Sequence, residues 1–214
     1  MFTNRYHIEV FLNSHRKSNS YLVQFSEEQA VLIDCGNFDK KLLAAALQSK
    51  NLSLYAVLLT HEHSDHVVGL EEVLAIYNPK VYCTQICREN IANSKLNYSL
   101  YTDSIETFEV HLSSHEQINN EDIIRFGEFE LQALATPGHS PASTIFFNDE
   151  VCFSGDTLLN ESKSPLLFPN SNKSDYAVSV SQIEQKLKKD CLIFPGHGES
   201  FTFSQWKYRS TAHV

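Results

Sequence analysis

The sequence predicts an α+β fold in four layers, αββα: two packed sheets with helices outside them. Three observations carry this expectation. Strand-like segments outnumber helical ones, two successive blocks each run from strands into helices, and no linker or low-complexity tract interrupts the chain. Size agrees with a single domain over 1–214: a chain of 24.4 kDa exposes roughly 10,000 Å² folded against about 35,000 Å² extended, enough burial for a core without disulfides. A hydrophobic share of 42% with 20% charged residues is ordinary for a globular protein and excludes a disordered chain.

The elements follow in order. Strands are expected at 5–12 and 20–25; in the first, Tyr6, Ile8, Val10 and Leu12 alternate with polar neighbours. Residues 13–20 form a turn-rich connector. Residues 30–34 make a short buried strand ended by Cys35-Gly36, and a Leu/Ala-rich helix is expected at 38–49. A second buried strand at 55–59 runs directly into Thr60-His61. Val67, Leu70, Leu74 and Tyr77 recur on one helical face, placing a helix over 67–77. Asn78-Pro79 stops it, and 80–83 is a further strand. Residues 84–104 read as helix and then loop. From 105 to 155 strands dominate, at 105–112, 122–126, 129–136, 142–147 and 150–154. A polar loop at 157–175 precedes a helix at 176–188 with Val180, Ile183 and Leu187 inward, and 191–194 is the last strand.

Charge narrows the function. With 17 basic and 26 acidic side chains the net charge is −9, against the basic stripe of a nucleic-acid binder. Arg5, His7 and Glu9 interrupt any apolar signal core, and no stretch reaches the apolar length of a membrane helix. The expectation is a soluble, cytoplasmic chain acting on a small molecule, with neither nucleic acid nor membrane as partner. The five cysteines, at 35, 83, 87, 152 and 191, are expected as free thiols. Cys83 and Cys87 lack a second pair and read as buried or inert.

Histidine placement points to chemistry. In Thr60-His61-Glu62-His63-Ser64-Asp65-His66, three imidazoles and a carboxylate fall where a strand ends and a helix begins. Capping by Ser64 or Asp65 would not require His61 and His63, and burying unpartnered imidazoles is costly. A metal site accounts for all of them. It is not the helical H-E-x-x-H arrangement, since Asp65 stands where the second histidine would be. In extended backbone His61 and His63 can share one side while Asp65 and His66 face a neighbouring position, so one loop can serve two metals. Three more strand ends complete the set: Thr136-Pro137-Gly138-His139, Ser154-Gly155-Asp156-Thr157 and Pro195-Gly196-His197-Gly198.

These motifs, in this order and separation, resemble the metallo-β-lactamase superfamily over about residues 20–200, and Asp156 resembles its glyoxalase II-like branch. The resemblance implies the metallo-β-lactamase αββα sandwich. It implies His61, His63 and His139 on one metal, Asp65, His66 and His197 on the other, and Asp156 on both. It further implies two divalent ions, zinc first, with iron or manganese as alternatives. Such a pair acidifies a bound water for attack on a polarised carbonyl, with Asp65 orienting the nucleophile or carrying its proton. A small thioester, ester or lactone is the expected substrate. Asp34 and Thr60 are candidates for orienting the ligand imidazoles. Cys35 gives no sign of reactivity, and His7, His15, His111, His115 and His213 read as surface or loop residues.

Two departures bear on substrate. The basic C-terminal segment of longer glyoxalase II-like enzymes is not matched: only Lys207 and Arg209 follow in the tail. The Gly-Arg loop of many relatives is replaced by 158–165, with Lys163 its one cation. A mono-iron persulfide dioxygenase, with two His and one Asp as a facial triad, and a non-catalytic binding protein of the same fold are the competing expectations.

Overall fold

The computed structural model describes residues 6–160 and 162–206. The α+β class is borne out: the described strands form two six-stranded sheets. The chain divides into two compact units, one running to Ile118 with Phe126–Phe129 added, the other taking Asn119–Arg125 and the chain from Glu130 onward.

In the first unit β1 (His7–Leu12), β2 (Asn19–Gln24), β3 (Gln29–Ile33), β4 (Ser53–Leu58), β5 (Lys80–Cys83) and β6 (Glu116–Gln117) lie side by side in chain order. The first three are antiparallel to one another, and from β3 to β6 all neighbours are parallel. Parallel neighbours require crossovers. These are α1 (Lys40–Ser49) after β3, α2 (Ser64–Val67) and α3 (Leu70–Tyr77) after β4, and α4 (Gln85–Ile91) after β5. Val31, Leu32 and Ile33 of β3 and Ala56, Val57 and Leu58 of β4 are all buried, the unbroken apolar run of strands covered on both faces.

Local chemistry sets the boundaries. Asp39 caps α1 by accepting a hydrogen bond from Lys41 N, so the helix starts two residues later than its composition suggested. The helix expected over 67–77 is instead two. It begins at Ser64 and breaks after Val67, where Gly69 N donates to Cys35 O at 2.9 Å. The 105–112 strand is not formed. Val110 and Leu112 are buried, as their alternation required, but the backbone bonds to the end of α4 and the residues after it and not to a ladder. Phe108 O accepts from Asn97 Nδ2 and Ser99 Oγ, each at 3.0 Å, and Val110 N donates to Ile91 O at 2.9 Å.

The second sheet runs in the order β12 (Phe201–Thr202), β11 (Leu192–Pro195), β10 (Val151–Gly155), β9 (Thr144–Phe147), β8 (Phe129–Ala135), β7 (Ile123–Phe126). β10 and β11 pair in parallel, with α5 (Lys173–Lys186) as the crossover, while β8–β9, β9–β10 and β11–β12 are antiparallel. The 157–175 loop is shorter than expected at its far end. α5 starts at Lys173 because the Asn172 side-chain oxygen accepts from Ser174 N at 2.9 Å and Asp175 N at 3.2 Å. Val180, Ile183 and Leu187 point inward as expected, in one cluster with Tyr176, Ile145, Cys152 and Phe203.

Arg5, Lys207, Arg209 and His213 lie outside the described residues. Among the described residues no helix is long and apolar enough to cross a membrane. All five cysteines are free and buried. What matters for chemistry is where strands end: β3 and β4 deliver residues 34 and 60–66, while β8, β10 and β11 deliver residues 139, 156 and 197.

Candidate metal centre

The first unit gathers four of the sequence candidates in one loop. After β4, Leu59 N is still held by Tyr82 O at 3.0 Å, and the chain leaves the sheet at Thr60. Residues His61 to His66 are all buried. The His61 ring centroid lies 4.6 Å from that of His63 and 4.3 Å from that of His66. Asp65 Oδ2 is 3.7 Å from His66 Nε2. One hexapeptide thus brings three imidazoles and a carboxylate together.

Asp34 and Thr60 orient them. Asp34 ends β3 with φ 57°, a left-handed conformation that costs a non-glycine residue about 1–3 kcal/mol. Its carboxylate accepts from Thr60 N and Thr60 Oγ1, each at 2.7 Å, and from His66 Nδ1 at 2.8 Å. A carboxylate only accepts, so Nδ1 of His66 carries the proton and Nε2 the lone pair. Thr60 Oγ1, its hydrogen spent on Asp34, accepts from His61 Nδ1 at 3.0 Å. That fixes the same tautomer in His61. Donor atoms of Asp34, His61 and His66 lie within 4.8 Å of one another, but with three donors on its oxygens Asp34 acts as an orienting group.

Residues with no sequence signal hold the loop in place. Ser18 Oγ donates to Asp65 O at 2.7 Å. Gly36 is wedged where any Cβ would overlap Asn13 Nδ2 and Asp65 O, so only glycine fits. Ser64 N donates to Asn97 O at 2.8 Å, and the Tyr98 ring meets His63 edge-on at 4.9 Å. Glu62, between two of the histidines, is a buried carboxylate that accepts from Asn90 Nδ2 at 3.0 Å. Asn90, Asn97 and Tyr98 fall in the stretch read from sequence only as helix and loop.

The second unit gathers the other three. Asp156 Oδ2 lies 3.5 Å from His139 Nε2 and 3.4 Å from His197 Nε2, so one carboxylate oxygen stands between two imidazoles. His139 Nδ1 bonds Pro165 O at 2.9 Å. A carbonyl cannot donate, so Nδ1 is protonated and Nε2 again holds the lone pair. The loop carrying His139 rests on α5: Ser171 Oγ donates to His139 O and Ser179 Oγ to Pro137 O, both at 2.7 Å. Thr136 reaches Thr157 at 3.1 Å.

Of the remaining histidines, His111 is exposed and His7 and His115 are half-buried. His15 is a loop residue, as one of its two readings had it, and not a surface one. It is on a turn, but buried, with Nδ1 bonded to Ser104 Oγ at 2.9 Å. Burial pushes its pKa below the usual imidazole value, Asp65 pulling it up and Arg16 down. Cys35 is buried and its thiol is pushed up to about 12, so it stays protonated.

The donor set of both units fits divalent metal ions. It consists of imidazoles, of which His61, His66 and His139 have their tautomer fixed by hydrogen bonds, together with carboxylates and without a thiolate. The profile of the metallo-beta-lactamase superfamily matches residues 14–197. A probable metallo-hydrolase of Bacillus subtilis, YqgX, is 28% identical over 85% of this chain and 85% of its own. The hydroxyacylglutathione hydrolase GloC of Haemophilus influenzae is 25% identical over 94% of each chain. Among solved structures, that of BLEG-1 B3 metallo-beta-lactamase superposes with a TM-score of 0.85 at 25% identity, covering 93% of this chain and 95% of its own. With a profile match over most of its length, the same fold in a solved relative and a histidine–aspartate donor set, this chain belongs to the metallo-β-lactamase superfamily.

Proposed function

We propose that the protein is a hydrolase that uses two divalent cations, zinc first, to cleave a small thioester, ester or lactone. In this reading His61, His63 and His139 serve one cation, Asp65, His66 and His197 the other, and Asp156 both. The observation that carries it is the fixed tautomer of His61, His66 and His139: each has Nδ1 bonded, to Thr60, Asp34 and Pro165 respectively, which leaves Nε2 as the coordinating nitrogen. The extent of the Haemophilus relative favours a thioester, because a protein bearing that hydrolase name matches over 94% of each chain.

When bound, the cations polarise a carbonyl and acidify water near neutral pH. The chain does the rest. Asp65 is the residue that would take the proton released as water adds to the carbonyl, and Ser18 holds the Asp65 backbone in place. Asp34 steadies the charge that His66 acquires as a ligand. The burial of His61 to His66 limits solvent screening, so the charges that act on the carbonyl are felt more strongly.

Elemental analysis of purified protein, followed by a thioester and lactone panel, tests the proposal. The expected result is two metal equivalents per chain and hydrolysis that is lost on chelation, in His63→Ala and in Asp156→Ala. Full activity in either variant overturns it. One iron per chain with oxygen uptake on a persulfide would replace it with the dioxygenase reading.

A further inference from the structure

We propose that Glu62 is a charge-balancing residue of the metal centre: its buried carboxylate offsets part of the charge of the cation held by His61 and His63. The proposal rests on the two-cation reading for what is held, and on the burial of Glu62 for what balances it.

Among the described residues four carboxylates are buried, those of Asp34, Glu62, Asp65 and Asp156, and no lysine or arginine is. Three of the four already have a place at the centre. Asp34 orients His66, Asp65 lies beside the same ring, and Asp156 stands between His139 and His197. The fourth is Glu62, 1% exposed, with a candidate ligand on either side of it in the chain. Burying a carboxylate is costly unless positive charge offsets it. Four such charges are what two divalent cations neutralise.

The surroundings of Glu62 give its charge no other use. The His61 and His63 rings lie 4.6 Å apart, edge to face, so they share one side of the chain. Glu62, between them, meets α4 instead: Asn90 Nδ2 donates to its Oε1 at 3.0 Å. The Cys87 thiol of the same helix, pushed up by its contact with Cys83 and by burial, also feels the Glu62 charge. Asn90 and Cys87 are three residues apart on the buried face of α4, and both are neutral. The bond from Asn90 does not call for a carboxylate. A glutamine oxygen would accept it as well, without the desolvation of a charge. Imidazoles, for their part, are neutral ligands and leave the full charge of a cation to be met by other groups. Glu62 meets it from one residue away, in a buried setting where charges are felt strongly. It acts through the cation and touches no substrate, which makes it a positioning residue and not a catalytic one.

Zinc titrations of the metal-free protein against a competing chelator, at fixed pH, test this in the parent, Glu62→Gln and Asn90→Ser. Glu62→Gln keeps the acceptor for Asn90 and removes only the charge. One of the two binding steps should weaken by about 10–100-fold. The melting temperature of the metal-free variant should stay at or above the parent's, because a buried charge has been neutralised. A role confined to holding the loop would leave the zinc affinity of this variant untouched. Asn90→Ser keeps the charge and removes the bond, and should cost less affinity than Glu62→Gln. Parent-like zinc affinity in Glu62→Gln, a metal-free variant that melts lower or does not fold, or a greater loss in Asn90→Ser overturns the proposal. If the affinity falls as stated but the parent hydrolyses no ester or thioester, the hydrolase reading fails and the role of Glu62 stands. If the parent hydrolyses them and Glu62→Gln binds both ions as the parent does, the reverse holds. A parent that binds a single ion overturns both.

Discussion

Asp34 Oδ2 lies 2.8 Å from His66 Nδ1, and the same oxygen accepts from Thr60 Oγ1, which in turn accepts from His61. One carboxylate at the end of β3 therefore sets the tautomer of two imidazoles at the end of β4. Asp34→Asn places an amide against His66 that can satisfy either its protonated or its bare nitrogen, but not both Thr60 and His66 as before. Metal affinity should fall by about 10–100-fold, read by competition with a chromogenic chelator. Asp34→Gly separates the two roles of the position. It relieves the φ of 57° but should lose the same affinity. An unaltered affinity in both variants would show that Asp34 serves only the turn.

The second unit contains a comparable close fit. Gly138 has φ 141°, and a Cβ there would come within 2.5 Å of Tyr176 Cα, backbone against backbone. Gly138→Ala should destabilise by about 2–5 kcal/mol, combining overpacking with backbone strain. The urea midpoint is the measurement, at unchanged slope. A midpoint equal to the parent's would mean that the start of α5 moves aside freely.

How far the sequence reaches is clearest at particular residues. Residues 61, 63, 65 and 66 are legible because a strand end, a period of two and the ligand chemistry coincide within one short segment. Asp34 is legible only as a carboxylate at a strand end; that it meets His66, 32 residues away, is a product of the parallel pairing of β3 with β4. The 105–112 segment shows the opposite limit. Its alternation correctly identifies the buried Val110 and Leu112, but side-chain periodicity reports which way a chain faces and not where its backbone bonds go. Asn97 and Ser99 take the Phe108 carbonyl, and no spacing rule identifies them. His15 escapes a sequence reading because a histidine in a polar turn looks solvated until Ser104 is brought over it.

Burial of His15 has a consequence in acid. Its folded pKa lies below 6.5, so between that value and 6.5 the unfolded chain binds more protons at this position than the folded one. Stability then rises with pH across this window, and is lost as pH falls through the folded pKa. His15→Gln, which can still bond Ser104, should therefore lose less stability than the parent between pH 6.5 and 5. Urea titrations of both proteins across that range provide the test, and parallel curves would contradict it.

The thiols should be silent. Burial holds both Cys35 and Cys191 up to about 12, and the other three cysteines are buried as well. Iodoacetamide at pH 8 should leave the native protein unlabelled and give five adducts after denaturation, counted by intact mass. Labelling of Cys35 under native conditions would reveal local opening beside the metal-binding loop.

The contact between His139 and the Pro165 carbonyl reaches beyond the chemistry of one ring. It is made by main chain, so any amino acid at position 165 can supply it, and a comparison of residue identities across relatives would pass over it. A protease that nicks the stretch between β10 and α5 would nevertheless release this carbonyl while leaving every ligand side chain covalently intact. Metal should then leak from a chain whose sequence is complete. Anyone grafting a new loop there to alter specificity inherits the same condition: residue 165 is free in its side chain and constrained in its path.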